Sequence, residues 1–242
     1  MTKTLLLTGA SSDIGSALIR RVVSNYDTII CHYRKTLDVI DDLKEEFVEK
    51  IVPIYADFAD LESTKSFIGE VLDRDLKPNH FVHLSSSSSS IDIRFNKTDR
   101  LQFENELSIS FLSAVECCRA YIPFMAKSHY GKVIFMLSSF IVNEPEKPYS
   151  TAYVSVKHAL YGLMKTLASE YASKGVTVNA VSPSMMDTKF LLIPEIEKEL
   201  NAENSPIKRL LKVEDVVPIF EFLLSSGADC ITGQNIAVTA GN

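Results

Sequence analysis

The sequence predicts a single α/β domain built on a doubly wound, seven-stranded parallel sheet with helices on both faces. Three observations support this fold class. Short runs of β-branched residues or leucine alternate with longer amphipathic segments along the chain. Runs such as KVIFML and VTVNAV are almost continuously apolar, as strands covered on both faces are. The 242 residues, 46% of them hydrophobic, suit one domain with a large core.

The seven predicted strands are separated by amphipathic, helix-like stretches. Right-handed crossovers through these stretches would make the strands parallel. Ligands bind a sheet of this kind at the carboxyl ends of its strands. The strands are predicted at residues 4–8, 28–33, 51–55, 80–84, 132–137, 176–181 and 236–238.

Composition and charge exclude several kinds of partner. The formal charge of −6 comes without a basic block, so the chain lacks the electrostatic footprint of a nucleic-acid-binding protein. The apolar run near the N-terminus has only three leucines, too few for a signal peptide or a membrane span. We therefore expect a cytoplasmic protein without nucleic-acid or membrane partners.

The four cysteines have neither the C-x-x-C spacing of a metal site nor the density of a disulfide scaffold. They are typical of small apolar residues in a reducing compartment. The sequence therefore predicts no metal site. The cysteines are Cys31, Cys117, Cys118 and Cys230.

Two segments interrupt the alternation of strands and helices. Residues 85–90 are six serines directly after the fourth strand, and they form either a flexible linker or a loop that a ligand can approach closely. Residues 184–212 contain an apolar cluster followed by charged, proline-bounded segments. This second segment is predicted to be a substrate lid, with a surface helix packed on the core as the alternative.

A nucleotide-binding loop is predicted at residues 8–15, TGASSDIG, between the first strand and the first helix. In this context a tight turn brings backbone N–H groups and a helix N-terminus onto a pyrophosphate. The loop resembles the T-G-x-x-x-G-x-G pattern of the short-chain dehydrogenase/reductase (SDR) family. It keeps Thr8, Gly9 and Gly15, but Asp13 stands at the middle glycine.

The resemblance implies a single-domain Rossmann fold and a bound dinucleotide. Asp13 has two interpretations. At roughly 6 Å from a phosphate it would repel the cofactor by about 3 kcal/mol before screening. Alternatively, it caps the first helix with its side chain turned away. The loop residues expected to hold the cofactor are Gly9, Ser11, Ser12, Ile14 and Gly15.

Cofactor choice is predicted from the end of the second strand. No acid stands there for the ribose hydroxyls, and the Arg34 guanidinium suits a 2′-phosphate, which favours NADP(H) over NAD(H); a solvated loop arginine is the alternative. Asp57 matches the family's adenine-contacting acid, or else it caps the helix that begins near Leu61. Where the family has N-N-A-G, this chain keeps a small residue, Ser85, and has His83, interpreted as a core histidine.

The catalytic residues are predicted from Tyr153 and Lys157, which share a helix face. By resemblance, Tyr153 protonates the substrate oxygen, and Lys157 lowers the pKa of that tyrosine and reaches the nicotinamide ribose. Ser139, fourteen residues before Tyr153, is chosen to orient the substrate oxygen, with Ser138 as the alternative. Ser110 or its neighbour stands where many relatives have a relay asparagine.

Further along, residues 178–184 resemble the family's V-N-x-x-x-P-G segment, which adds Pro183 to the expected cofactor site. Thr188 follows at the place of the threonine that contacts the carboxamide. The resemblance extends over essentially the whole chain in the expected order.

The chain is most similar in length and order to 3-oxoacyl-acyl-carrier-protein reductases. This similarity implies an NADP(H)-dependent oxidoreductase that reduces a ketone, including a carrier-bound 3-oxoacyl group, to a secondary alcohol. A catalytically weak binding or scaffold protein on the same fold is the alternative. Helices around 105–128 and 150–174 are apolar on more than one face, which predicts a homodimer or homotetramer.

Overall fold

The computed structural model describes residues 2–35, 37–87, 91, 93–142 and 148–241. It contains one seven-stranded sheet in the order β3-β2-β1-β4-β5-β6-β7, with every neighbouring pair parallel. The predicted fold class is confirmed, and each predicted strand end lies within two residues of the observed one. The strands are β1 Thr4–Thr8, β2 Thr28–Tyr33, β3 Ile51–Tyr55, β4 His80–His83, β5 Gly131–Met136, β6 Val176–Pro183 and β7 Asn235–Val238.

Eight α-helices connect these strands within the described residues. Several begin at side chains that accept hydrogen bonds from the first-turn N–H groups, which otherwise have no helical partner. Ser12 caps the first helix, Asp60 the third and Asp99 the fourth. The helices are α1 Asp13–Val22, α2 Leu37–Glu46, α3 Leu61–Asp73, α4 Arg100–Glu106, α5 Ser113–Lys127, α6 Thr151–Tyr171, α7 Glu195–Asn204 and α8 Val213–Leu224.

The core has two layers because both sheet faces are covered. Leu5 and Leu7 of β1 pack with α1, α2 and α8, and Phe220 of α8 belongs to that layer. Leu6 points to the opposite face and packs with Phe67 of α3, in the layer that α5 and α6 complete. Burial of each such leucine stabilises the fold by about 2 kcal/mol. Alternating side chains that are all buried explain why β1 is a continuous apolar run.

Arg100–Lys127 forms one continuous helical stretch in which a π-helical segment, Leu107–Leu112, joins α4 to α5. Within the described ranges, it is the stretch whose length and apolar composition would allow it to cross a membrane. Here its inward face packs into the core through residues such as Tyr121. Its outer face leaves Leu112 and Phe124 exposed, as expected for a helix that is apolar on more than one face.

The strand order reverses between β1 and β4, which places a crevice at the carboxyl ends of these strands. Residues 184–212 leave the sheet beside this crevice. Their base is closed by backbone hydrogen bonds from Leu211 N–H to Met185 O (3.1 Å) and from Asp187 N–H to Leu211 O (2.9 Å). Helix α7 lies within this excursion and has no buried residue.

Candidate active site

A cleft of about 560 Å³ opens at the carboxyl edge of the sheet. It collects most of the predicted site residues from distant parts of the chain. Neither Ser138 nor Ser139 lines the cleft directly, and neither do Gly15, Asp57 and Pro183. The predicted residues that do line it are Gly9, Ser11, Ser12, Ile14, Arg34, Ser85, Tyr153, Lys157 and Thr188.

The loop after β1 needs glycine at two positions. Gly9 has φ +70°, and a Cβ there would lie 3.3 Å from the Leu84 carbonyl carbon and the Ser85 nitrogen. A Cβ at Gly15 would lie 2.5 Å from the Gly9 oxygen. Gly15 therefore does not line the cleft, but it lets α1 pack against the loop that does.

His32 braces this loop, which the sequence did not indicate. Its Nδ1 accepts the Gly9 N–H (3.0 Å), and its Nε2–H donates to the Ala56 carbonyl (3.1 Å). The ring also stacks on Phe58, with 4.0 Å between ring centroids. Burial lowers the pKa of His32 to about 4, so the ring is neutral at pH 7 and Nδ1 can act as the acceptor.

Asp13 has a role that neither interpretation of the sequence included. The expectation that it caps α1 is wrong, because Ser12 Oγ accepts the Gly15 N–H (3.0 Å) as the N-cap. The Asp13 carboxylate instead accepts the backbone N–H of Lys189 (2.7 Å). This hydrogen bond ties the nucleotide loop to the 184–212 segment, 176 residues away in sequence.

Two cations line the cleft, Arg34 and its neighbour Lys35, and the sequence interpretation passed over Lys35. The Arg34 guanidinium lies 3.6 Å from Asp57 Oδ1, and both side chains are about 40% exposed, so Arg34 can turn to a ligand at little cost. The alternative role of Asp57 as the α3 cap is wrong, because Asp60 accepts from the first-turn N–H groups there.

Ser85, at the end of β4, has a buried hydroxyl without a hydrogen-bond partner among the described residues. Buried polar groups are normally paired, so an orphaned hydroxyl in a cleft indicates a place for a ligand. In contrast, both ring nitrogens of His83 have hydrogen-bond partners, Thr8 Oγ1 (2.8 Å) and the Ser110 carbonyl (3.0 Å), as expected of a core histidine. Of the predicted serine loop, residues 88–90 lie outside the described residues.

These features together fit a dinucleotide. The glycine turn permits close backbone approach, and the α1 N-terminus favours phosphate. The orphaned Ser85 hydroxyl offers a hydrogen bond, and two cations line the same cleft.

Tyr153 and Lys157 lie one turn apart near the start of α6, and both side chains are buried at the cleft wall. The Lys157 ammonium lies over the Tyr153 ring, 5.2 Å from its centroid, and donates to the Met136 carbonyl (3.0 Å). The predicted pairing of these residues on one helix face is therefore present. The ammonium contacts the ring face of Tyr153, as in a cation–π pair.

Ser138, and not Ser139, shares a hydrogen bond with the Tyr153 hydroxyl. Ser138 has extended backbone, and successive side chains of an extended chain point in opposite directions, so a shift of one residue exchanges the partner. Ser139 begins the short 3₁₀ turn Ser139–Ile141 instead. The geometry thus favours Ser138, the alternative of the two serines, over Ser139.

Burial dominates the ionisation of both groups. It raises the pKa of Tyr153, the negative charge of Glu106 adds to that rise, and the Ser138 hydrogen bond opposes it. Burial also lowers the pKa of Lys157 to about 8, with Glu106 acting in the opposite direction. The net shift of the Tyr153 pKa is therefore upward, and not the downward shift expected from Lys157, because loss of hydration is its largest cause. At pH 7 the phenol keeps a proton that it can donate.

Ser110, one of the candidates for the position of the relay asparagine, lies in the π-helical segment, and functional sites often occur in such segments. Its hydroxyl donates to Glu106 Oε1 (2.6 Å), and Ser86 Oγ lies 3.4 Å from the same oxygen. Glu106 is fully buried, which sequence analysis missed. The available signal was its spacing of four residues from Ser110, which places both on one helix face.

A family model described as "Enoyl-(Acyl carrier protein) reductase" matches residues 9–242, almost the entire chain. The protein belongs to the SDR family. It is therefore an oxidoreductase, and the scaffold alternative is set aside.

This SDR is 28% identical over 247 residues to "3-oxoacyl-[acyl-carrier-protein] reductase FabG" of Staphylococcus epidermidis, covering 100% of this chain and 99% of the relative. It is also 28% identical over 244 residues to "Uncharacterized oxidoreductase YmfI" of Bacillus subtilis, with coverage of 100% and 99%. A solved structure described as "ElxO with NADP Bound" is 26% identical, with a TM-score of 0.87 and coverage of 100% and 98%.

Proposed function

We propose that this SDR is an NADP(H)-dependent carbonyl reductase that converts a ketone to a secondary alcohol. One observation carries the proposal: a protonated Tyr153 hydroxyl is hydrogen-bonded to Ser138, with Lys157 one turn further along the same cleft wall. A proton donor held in place beside a nucleotide site is what carbonyl reduction requires.

The cofactor pyrophosphate is assigned to the loop of Gly9, Ser11, Ser12 and Ile14, which Gly15 supports from behind. Arg34 and Lys35 are assigned to the 2′-phosphate, because two adjacent cations in the lining of the cleft favour NADP(H) over NAD(H). The ElxO structure, similar along the whole chain, contains NADP. Asp57 is assigned to the adenine, Ser85 and Pro183 to the nicotinamide half, and Thr188 to the carboxamide.

When bound, the reduced nicotinamide supplies the hydride that the carbonyl carbon receives. Tyr153 then gives its hydroxyl proton to the carbonyl oxygen, so that substrate oxygen becomes alcohol and the phenol becomes phenolate. Ser138 donates a hydrogen bond to that oxygen and aligns it. The Lys157 ammonium stabilises the phenolate and bonds the ribose hydroxyls.

The proposed substrate is an aliphatic ketone of the 3-oxoacyl class, free or attached to a carrier. Three apolar side chains, Ile109, Met186 and Phe190, line the cleft around the reacting groups. Met186 and Phe190 come from the 184–212 segment, which supports its role as a lid. The FabG proteins with which this chain aligns over its entire length are named as reductases of 3-oxoacyl groups on a carrier protein.

A cytoplasmic homodimer or homotetramer is part of the same proposal. The exposed apolar side chains of the long helical stretch and of α6, among them Leu112, Phe124 and Tyr161, provide a face for a second copy. All four cysteines are free thiols, as in a reducing compartment.

The test is NADPH oxidation with a panel of 3-oxoacyl thioesters and simple ketones, repeated with NADH. We expect turnover of a 3-oxoacyl thioester with NADPH, at a kcat/KM at least about tenfold above that with NADH. Tyr153→Phe is the matched control, since it removes only the hydroxyl. Turnover no greater than that of this variant on every substrate contradicts the proposal.

A further inference from the structure

Glu106 is a fully buried carboxylate close to the proposed catalytic groups, at the junction between α4 and the π-helical segment. Burying a carboxylate costs several kcal/mol unless hydrogen bonds and an opposite charge compensate. Other acids on this stretch, such as Glu104 and Glu116, lie toward solvent and form ion pairs with nearby arginines. Glu106 therefore needs a different explanation.

Hydroxyl groups supply part of the compensation. Ser110 Oγ donates to Glu106 Oε1 at 2.6 Å, a short distance typical of a charge-assisted bond. Ser86 Oγ lies 3.4 Å from that oxygen and 3.3 Å from Ser110 Oγ, and Ser86 lines the cleft. The carboxylate thus lies directly behind the cleft wall, and two serines separate it from the ligand space.

The opposite charge is on α6. Lys157 is buried, it donates to the Met136 carbonyl, and Glu106 is the charged group whose field acts on it. Two other titratable groups lie near this pair: Tyr153, on the same helix α6 as Lys157, and His83 of β4. Both are neutral at pH 7, because burial raises the pKa of Tyr153 and lowers the pKa of His83 to about 3. Helix α4 and the π-helical segment both pack against α6. Glu106 and Lys157 therefore lie buried on neighbouring elements, with uncharged titratable groups beside them.

We infer that Glu106 is a positioning residue: it supplies the buried counter-charge that keeps Lys157 an ammonium. Two serines hold the carboxylate in place behind the cleft, and the ammonium it supports bonds the ribose and stabilises the phenolate. This inference deepens the proposed function and rests on it only for the use made of the ammonium. The charge pair itself is a property of the protein without ligands.

The decisive measurement is the titration of Lys157 in the ligand-free protein. Trace acetylation with acetic anhydride across pH 6 to 11, read out by mass spectrometry, gives the midpoint at which this amine loses its proton. Glu106→Gln removes the charge and keeps the shape, so its midpoint is expected about one pH unit below that of the wild-type protein. Glu106→Asp keeps the charge and is expected to stay within about 0.5 unit of wild type.

Ser110→Ala separates the charge from the hydrogen bond. It removes the short bond to Glu106 but leaves the carboxylate, so the Lys157 midpoint is expected to move by less than half of the Glu106→Gln shift. If Ser110→Ala and Glu106→Gln shift the midpoint equally, the serine bond and not the counter-charge is responsible, and the inference is overturned. An unchanged midpoint in Glu106→Gln overturns it as well.

Glu106→Met is a second charge-free variant, which leaves no unpaired amide if the glutamine fails to fold. It is expected to reproduce the downward shift, and a wild-type midpoint in this variant also overturns the inference. The kinetic readout is the pH profile of kcat/KM for ketone reduction, whose high-pH limb is expected to move down by about one unit in both variants. Absence of turnover in the wild type would contradict the proposed function alone, because the acetylation titration needs no catalysis.

Discussion

Buried polar groups differ in their hydrogen bonding between the amino edge of the sheet, where the strands begin, and the carboxyl edge, where they end. At the amino edge every buried group shown here has a partner. His80 bonds the Tyr26 hydroxyl (2.6 Å) and the Tyr130 hydroxyl (2.9 Å) through its two ring nitrogens. The buried Lys132 ammonium is paired with Asp229 (2.6 Å).

At the carboxyl edge the costs of burial are left partly uncompensated. The buried Ser85 hydroxyl, which borders the cleft, has no partner among the described residues. This difference indicates that the amino edge serves stability and the carboxyl edge serves ligand binding. A satisfied network contributes to the free energy of unfolding, whereas an unsatisfied one keeps groups available for a ligand at some expense of stability.

Among the substitutions at the carboxyl edge, Ser138→Ala should have the largest effect on catalysis. Removing a hydrogen-bond donor to the developing charge is expected to lower kcat/KM for ketone reduction by about 10²- to 10³-fold. Ser139→Ala is the matched control, and we expect it to stay within about threefold of wild type, because Ser138 is the serine whose hydrogen bond acts on Tyr153. Steady-state kinetics of the two variants decide, and the reverse order would restore Ser139 as the catalytic serine.

Arg34→Ala should weaken NADPH binding by about 10- to 100-fold, since a charge-assisted bond to phosphate contributes roughly 1.5–3 kcal/mol. The dissociation constant for NADH is the internal control and is expected to change by less than about threefold. Fluorescence titration measures both constants. An equal loss for the two cofactors would mean that Arg34 does not contact the 2′-phosphate.

Lys157→Met should raise the free energy of unfolding while abolishing ketone reduction, as expected for a group at the carboxyl edge that serves catalysis at the expense of stability. Because the folded-state pKa is about 8 and the ordinary value is 10.5, burial penalises the ammonium fully below pH 8. The pKa of about 8 already includes the attraction between Lys157 and Glu106. After allowing for the lost bond to Met136, the variant is expected to gain about 2 kcal/mol at pH 7.

That gain has a defined pH dependence. Between pH 8 and 10.5 the unfolded lysine holds more protons than the folded one, so the stability of the wild-type protein rises and the advantage of Lys157→Met disappears. Urea unfolding at pH 7 and pH 10 measures this. A variant that is less stable than wild type at pH 7 would contradict the account.

Asp13 variants should give the smallest effect. Asp13→Ala removes the acceptor for the Lys189 N–H and is expected to speed hydrogen exchange at that amide about fivefold, for a bond of about 1 kcal/mol. Asp13→Asn keeps an acceptor oxygen without the charge and should exchange like wild type. If the Lys189 amide exchanges equally fast in both variants, and faster than in wild type, then the charge of Asp13 and not the hydrogen bond holds the segment. Tighter NADPH binding by both would support the repulsion hypothesis.

Local patterns predicted the fold and part of the site. All seven strands followed from apolar periodicity, because burial on both faces leaves a continuous signal. The Tyr153–Lys157 spacing likewise follows from helix geometry alone. Ser138 was missed as the first choice because a one-residue shift reverses the direction of a side chain, and spacing across a loop does not fix that phase.

Long-range partners could not be predicted. The Asp13 carboxylate bonds an amide 176 residues away, so nothing in its local sequence shows that contact. Glu106 lies in a stretch with other acids that form ion pairs toward solvent, so its residue type alone does not mark it as the buried one. Such groups become visible only when packing brings the elements together.

The comparison between the two edges can be tested with one matched pair of substitutions, Tyr130→Phe and Tyr153→Phe. Each removes a single buried or half-buried hydroxyl, one bonded to His80 and the other to Ser138. Both the free energy of unfolding and kcat/KM for ketone reduction are measured for each variant. Tyr130→Phe is expected to lose about 1 kcal/mol of stability and to keep kcat/KM within about twofold.

Tyr153→Phe is expected to lose about 10²- to 10⁴-fold in kcat/KM while its stability changes by less than about 1 kcal/mol. If Tyr130→Phe impairs catalysis as severely as Tyr153→Phe, or if Tyr153→Phe mainly destabilises the fold, the division into a structural and a catalytic edge is contradicted.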